Sequence, residues 1–146
     1  MNKPQHWVAV DRIINAPADH IYAAWTEPEI MAAWMGQSVA ADVRVGGGWR
    51  IENEVEGRIY YHEGEYLALE PGRRVMQTFR TGPLEELDGA LPFSGEFIEV
   101  TLRPLGPTQT FVRLFNGWNG EEMDEEARQA VKEGWAAWLD QLEALF

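Results

Sequence analysis

From Glu122 to Phe146 the apolar residues Ala127, Ala130, Val131, Gly134, Trp135, Trp138, Leu142 and Leu145 recur at three- and four-residue spacing. That is the period of one helix face, and it predicts a long amphipathic helix. The roughly eighty residues before it carry period-two alternation and turn residues, which read as strands. A lone long helix closing a strand-rich chain must bury its stripe on the sheet. Trp135 and Trp138 thicken that layer, and Gly134 beside them is expected to open a gap. The pattern therefore predicts a cavity between helix and sheet.

The rest of the chain divides by the same reasoning. His6 to Ile14 reads as a first strand, ended by Asn15-Ala16-Pro17. Pro17 suits the first turn of a helix over Ala18 to Thr26, with Ile21, Ala24 and Trp25 inward. Pro28 starts a second short helix, Glu29 to Trp34, which Gly36 ends. Strands follow over Ala40–Val45, Trp49–Val55, Arg58–Leu69 and Arg74–Thr81, with Gly46-Gly47-Gly48 and Glu70-Pro71-Gly72-Arg73 as turns. Gly82 to Ser94 holds Pro83, Gly89 and Pro92 and reads as a long loop. Its Leu84, Leu87, Leu91 and Phe93 suit a lid or an interaction patch. Glu96–Arg103 and Thr108–Asn116 form a hairpin. Asn119 with Glu122 offers the last helix a capping box, and Asp124 is a rival cap.

Composition narrows the functional classes. At 146 residues, 45% apolar and 12% aromatic, the chain is expected to be one domain with a substantial core. It has no cysteine, which excludes disulfides, thiolate nucleophiles and cysteine-bound zinc. No apolar run approaches about 18 residues and the N-terminus lacks a signal-peptide pattern, so a cytoplasmic protein is expected. The net charge is -12 and the only lysines are Lys3 and Lys132. Such a field repels phosphate backbones, so neither nucleic acid nor an anionic membrane is expected as a partner. The acidic run from Glu121 to Glu126 sits where the last helix has its positive end, which accounts for it without a metal.

Several motifs resemble one family. Ile14-Asn15-Ala16-Pro17 leading into Ile21-Tyr22-Ala23-Ala24-Trp25-Thr26-Glu27-Pro28, then Trp34, resembles the N-terminal signature of the START-like (SRPBCC) superfamily. The closer likeness is to its branch named after the activator of Hsp90 ATPase, in the single-domain bacterial form. Val45-Gly46-Gly47-Gly48-Trp49, the segment Gly64 to Pro71, and Gly134-Trp135 with Leu139 and Leu142 agree in order. The resemblance implies an α+β helix-grip fold: a seven-stranded antiparallel sheet curved around a long C-terminal helix, with two short helices after the first strand. It also implies a cavity for hydrophobic or amphipathic small molecules, and some superfamily members cyclise polyketides. Hsp90 itself is not expected as a partner, because the chain has no room for the co-chaperones' separate N-terminal domain.

The candidate ligand-binding residues are Trp34, Trp49, Phe79, Phe97, Phe111, Arg113, Phe115, Trp135 and Trp138. Aromatic rings supply contact area, and indole N–H groups supply orientation. Phe111, Val112, Leu114 and Phe115 put apolar groups on both faces of the last strand, so its inward face is open. If Phe111 and Phe115 point inward, Arg113 is buried and needs an anionic ligand or a carboxylate. Otherwise Arg113 is a surface residue. His20 is expected to face solvent. His62 is either a satisfied or exposed strand residue, or an acid–base group beside Tyr61 and Glu63. Gly46-Gly47-Gly48 lacks a following helix and lysine, so it reads as a hairpin turn and not a phosphate loop. The function expected is binding of a hydrophobic or amphipathic molecule, with no cofactor and no metal. The alternatives are a cyclase- or hydrolase-like enzyme and a protein-interaction module. A homodimer is left open.

Overall fold

Strand-forming residues gather into eight segments in the computed structural model, which describes residues 3–83, 93–120 and 122–146. They are β1 (His6–Ile14), β2 (Ser38–Ala41), β3 (Gly48–Val55), β4 (Arg58–Glu70), β5 (Arg74–Thr78), β6 (Arg80–Pro83), β7 (Phe93–Gly106) and β8 (Gln109–Gly120). Seven build one antiparallel sheet in the order β1-β8-β7-β5-β4-β3-β2, while β6 pairs with β4 beyond the end of β5. The helices are α1 (Ala18–Thr26), α2 (Pro28–Trp34) and α3 (Glu125–Glu143). This is the helix-grip arrangement, with α3 on the inner face of the sheet.

The N-terminal bracket forms as its prolines dictate. Pro17 is the extended cap of α1 at ψ 148°, and Pro28 opens α2. Trp25 and Trp34 meet edge to face at 4.9 Å, and the Trp34 indole N–H donates to the Ala24 carbonyl at 2.8 Å. The two helices are thereby locked to one another on the core side. The N-cap of α3 is Asp124, whose Oδ1 accepts from the Ala127 amide at 2.8 Å. Asn119 remains inside β8, and its side chain accepts from the Gln5 amide, so it forms no capping box.

Four expectations change. The strand placed at Ala40–Val45 lies instead at Ser38–Ala41, because the chain turns over Asp42–Gly47 through Arg44 N–H to Asp42 O and Gly47 N–H to Arg44 O. The strand placed at Arg74–Thr81 breaks at Phe79, whose amide donates to the Glu96 carbonyl at 3.1 Å, opposite a bulge in β7 between Ser94 and Phe97. Of the loop placed at Gly82–Ser94, Gly82 and Pro83 belong to β6 and Phe93 and Ser94 to β7. Its Leu84, Leu87 and Leu91 lie outside the described residues.

The fourth change concerns Gly134. It is exposed, and a β-carbon there would meet nothing within 4 Å, so it faces away from the sheet and opens no gap. The buried face of α3 is Trp135, Leu139 and Leu142, with Val131 and Trp138 packed partly against the core. The α3 backbone runs nearest to β1. Over the middle strands the interval is spanned by large rings, with Trp135 and Trp138 meeting Phe79.

Register settles the ambiguous strand. Val112, Leu114, Asn116 and Trp118 are fully or almost fully buried on the inner face of β8. Phe111, Arg113 and Phe115 therefore lie on the outer face. Phe97 lies there too, its ring 5.9 Å from that of Phe115.

Candidate functional site

Strand pairing places Trp49 opposite Gly64 and Ile51 opposite His62, so all four share one face of β3 and β4. Gly64 is required here: a β-carbon would collide with the Thr78 carbonyl and lie 2.8 Å from the Trp49 indole nitrogen. The alternation that puts Val75 and Gln77 on the inner face carries the Phe79 ring onto it as well. Phe79 then meets Trp49 at 5.9 Å, His62 at 5.2 Å and Trp135 at 5.1 Å. Trp138 closes the group, edge-on to His62 at 5.3 Å, to Trp135 at 5.4 Å and to Trp34 at 5.8 Å. One aromatic cluster thus runs from α2 through α3 to β3, β4 and Phe79.

This assigns the nine candidate residues to two places. Trp34, Trp49, Phe79, Trp135 and Trp138 come together on the inner side. Phe97, Phe111, Arg113 and Phe115 form a separate outer-face group. There Arg113 makes a bidentate ion pair with Asp11 at 2.7 and 3.0 Å and is half exposed. The inner alternative for Arg113, and the anionic ligand it called for, therefore have no support in the geometry.

His62 fits neither sequence reading. Its ring is largely buried among Phe79 and Trp138, and Nδ1 is buried with no hydrogen-bond partner among the described residues. Burial alone depresses its pKa to about 4, so it is a neutral imidazole at physiological pH. Trp25 Nε1, Trp49 Nε1 and Tyr66 Oη, on core-facing side chains, are also buried without partners among the described residues. Burial pushes the Tyr66 hydroxyl up to about 12, with Tyr22 nearby adding to the effect.

A second polar feature escaped the sequence reading. The Trp135 indole N–H donates to Asn116 Oδ1 at 3.1 Å, and Asn116 Nδ2 donates to Glu96 Oε2 at 3.2 Å and to the Phe97 carbonyl at 3.1 Å. Asn116 has its amide orientation fixed by these three contacts. Burial raises the pKa of Glu96, and the bond from Asn116 opposes that rise. The usable signal was Asn116 itself, a polar residue at the period-two position between Leu114 and Trp118.

Basic groups are engaged elsewhere. Arg50 bridges Glu52 and Glu63, and Arg74 bridges Glu70 and Glu99. Arg12 pairs with Asp140 on the flank of α3. Among the described residues no arginine or lysine stacks on a ring of the inner cluster. No group of metal-ligating side chains is found among them either, and no helix is long and apolar enough to cross a membrane.

Comparison with known proteins agrees with this architecture. Protein CV1439 from Chromobacterium violaceum is 25% identical, with a TM-score of 0.74 over 95% of this chain and 96% of that one. Protein ChR145 from Cytophaga hutchinsonii is 20% identical, with a TM-score of 0.77 over 99% and 95%. The Aha1 dimer from Colwellia psychrerythraea is 20% identical, with a TM-score of 0.70 over 95% and 94%. No curated protein matches the chain. The family model described as activator of Hsp90 ATPase homolog 1-like protein matches residues 15–146. With that match spanning both helices of the bracket, the strands from β2 to β8 and α3, the chain belongs to the activator of Hsp90 ATPase homolog 1-like family.

Proposed function

We propose that the protein binds a hydrophobic or amphipathic small molecule within the aromatic layer between α3 and the inner face of the sheet. The observation that carries this reading is the set of unpaired polar atoms in that layer. Each buried donor or acceptor without a partner costs about 1–3 kcal/mol. Among the described residues Trp49 Nε1 and His62 Nδ1 are two such atoms in the layer, and Trp25 Nε1 and Tyr66 Oη are two more in the core beyond it. A ligand bearing a few oxygen or nitrogen atoms on an apolar body would satisfy those in the layer. Binding is favoured over proton-transfer catalysis because His62 touches rings and is hydrogen-bonded to no carboxylate or hydroxyl among the described residues.

Native mass spectrometry of protein purified from its own host is expected to retain a small molecule. Titration with Nile red is expected to quench tryptophan emission in the wild type and to weaken in Trp138→Ala. Protein that leaves its host empty and does not respond to apolar probes would refute the proposal.

A second reading concerns self-association. Trp7 and Ile13 are 50% and 52% exposed on the outer face of the edge strand β1, and Trp7 stacks on Phe115 at 5.4 Å. The Colwellia relative is a dimer. On a chain of net charge -12, this patch carries the neutralised Asp11–Arg113 pair, so two copies meet there with least repulsion. Trp7→Glu should convert a sedimenting dimer to monomer. A wild type that stays monomeric at high concentration removes this reading.

A further inference from the structure

We infer that the inner site selects amines over carboxylates, with Glu96 as the group that receives the ligand's ammonium. This rests on the binding reading above and adds a charge preference to it.

Three observations carry it. First, Phe79 lies opposite Glu96, since its amide donates to the Glu96 carbonyl and Thr78 pairs with Phe97. In the strand order β7-β5-β4-β3, the ring of Phe79 stands between Glu96 on one side and His62 and Trp49 on the other. Glu96 is thus at one margin of the aromatic cluster.

Second, the carboxylate is held from one side only. Oε2 accepts from Asn116 Nδ2, which is fixed in turn by Trp135, while among the described residues no hydrogen bond engages Oε1. Its burial raises the cost of the charged form, and among the described residues no arginine or lysine is paired with it to offset that cost. A ligand cation would supply the missing partner as a charge-assisted hydrogen bond. The aromatic faces beside it are the surface to which an ammonium group is attracted.

Third, among the described residues no basic side chain stacks on the inner rings to meet the alternative charge. Arg12, Arg50, Arg74 and Arg113 are all held in ion pairs at the margin or on the outer face. An anion entering the layer would face Glu96 without a counter-charge, inside a molecule of net charge -12. The ligand class is therefore an apolar or aromatic amine.

The test uses three matched probes, naphthylmethylamine, naphthylmethanol and naphthoate, titrated calorimetrically into wild type and Glu96→Gln. The substituted glutamine keeps an oxygen for Asn116. In wild type the amine is expected to bind about tenfold more tightly than the alcohol, and naphthoate more weakly than either. In Glu96→Gln the amine's advantage over the alcohol should vanish, read as the ratio of the two affinities within the same protein. Naphthoate binding as tightly as the amine in wild type overturns the inference, whether or not the variant folds. So does an amine preference that survives in Glu96→Gln. Equal binding of all three leaves the binding site standing and removes only its charge preference; binding of none removes both.

Discussion

His62 shows how a residue's meaning depends on what surrounds it. In sequence it neighbours Tyr61 and Glu63, yet both of those turn to the outer face, where Arg50 lies over the Tyr61 ring and pairs with Glu63. The imidazole is left among rings. Its folded-state pKa of about 4 lies below the ordinary 6.5, so the unfolded chain binds a proton that the folded one refuses. Stability attributable to His62 is complete above pH 6.5 and falls as pH drops toward 4, by roughly 3 kcal/mol in all. Urea denaturation at pH 7 and pH 4.5 should show this loss in wild type and a much smaller one in His62→Phe. Asp11 and Glu70, held low by hydrogen bonds from Arg113 and Arg74, weaken the fold mainly below the ordinary carboxylate range. Glu96, raised by burial, works in the opposite sense. Asn116→Ala strands the Trp135 N–H and is expected to cost about 1–3 kcal/mol, read as a lower denaturation midpoint.

At the scale of elements, α3 provides the clearest tests. Gly134 sits in the helix interior with open space around it. Gly134→Ala should therefore stabilise the protein by up to about 1 kcal/mol, measured by thermal melting. A loss of stability would restore a packing role for that glycine. Asp124→Ala removes the observed cap and should cost about 1 kcal/mol. The elements themselves were largely legible: α1 falls on Ala18–Thr26 and β1 on His6–Ile14, because proline and apolar period mark them directly. What escaped was set by pairing between distant strands. Nothing local to Thr78-Phe79-Arg80 announces a break, which arises from the bulge opposite in β7. The inward face of β8 was equally hidden, since Phe111 and Phe115 mimic core residues while lying on the outer face. Of the candidate site, the tryptophans of α2, α3 and β3 were readable as aromatic positions on amphipathic elements. Glu96 and His62 were not, because their surroundings come from other strands.

For the whole molecule, the distribution of charge and of rings separates two faces. The outer face carries cross-strand ion pairs, such as Arg74 with Glu99 and Arg50 with Glu63. The inner face carries the aromatic layer under α3. The helix is tied to the sheet along one side. Arg128 donates to the Trp7 carbonyl at 2.7 Å, and Arg12 holds Asp140 at 2.9 Å, both joining α3 to β1. Trp135 adds an indole hydrogen bond to Asn116 on the neighbouring β8, while toward β4 Trp138 reaches across to His62 by ring contact. A rod fastened along one margin has a swing axis. Tilting about β1 would slide rings apart without breaking a strand pair, so for the ligand binding proposed above the room under α3 would follow an angle and not a fixed resting volume. Spin labels should then report a widening between the Trp138 turn and β4 that grows with ligand bulk, while the separation of α3 from β1 stays constant.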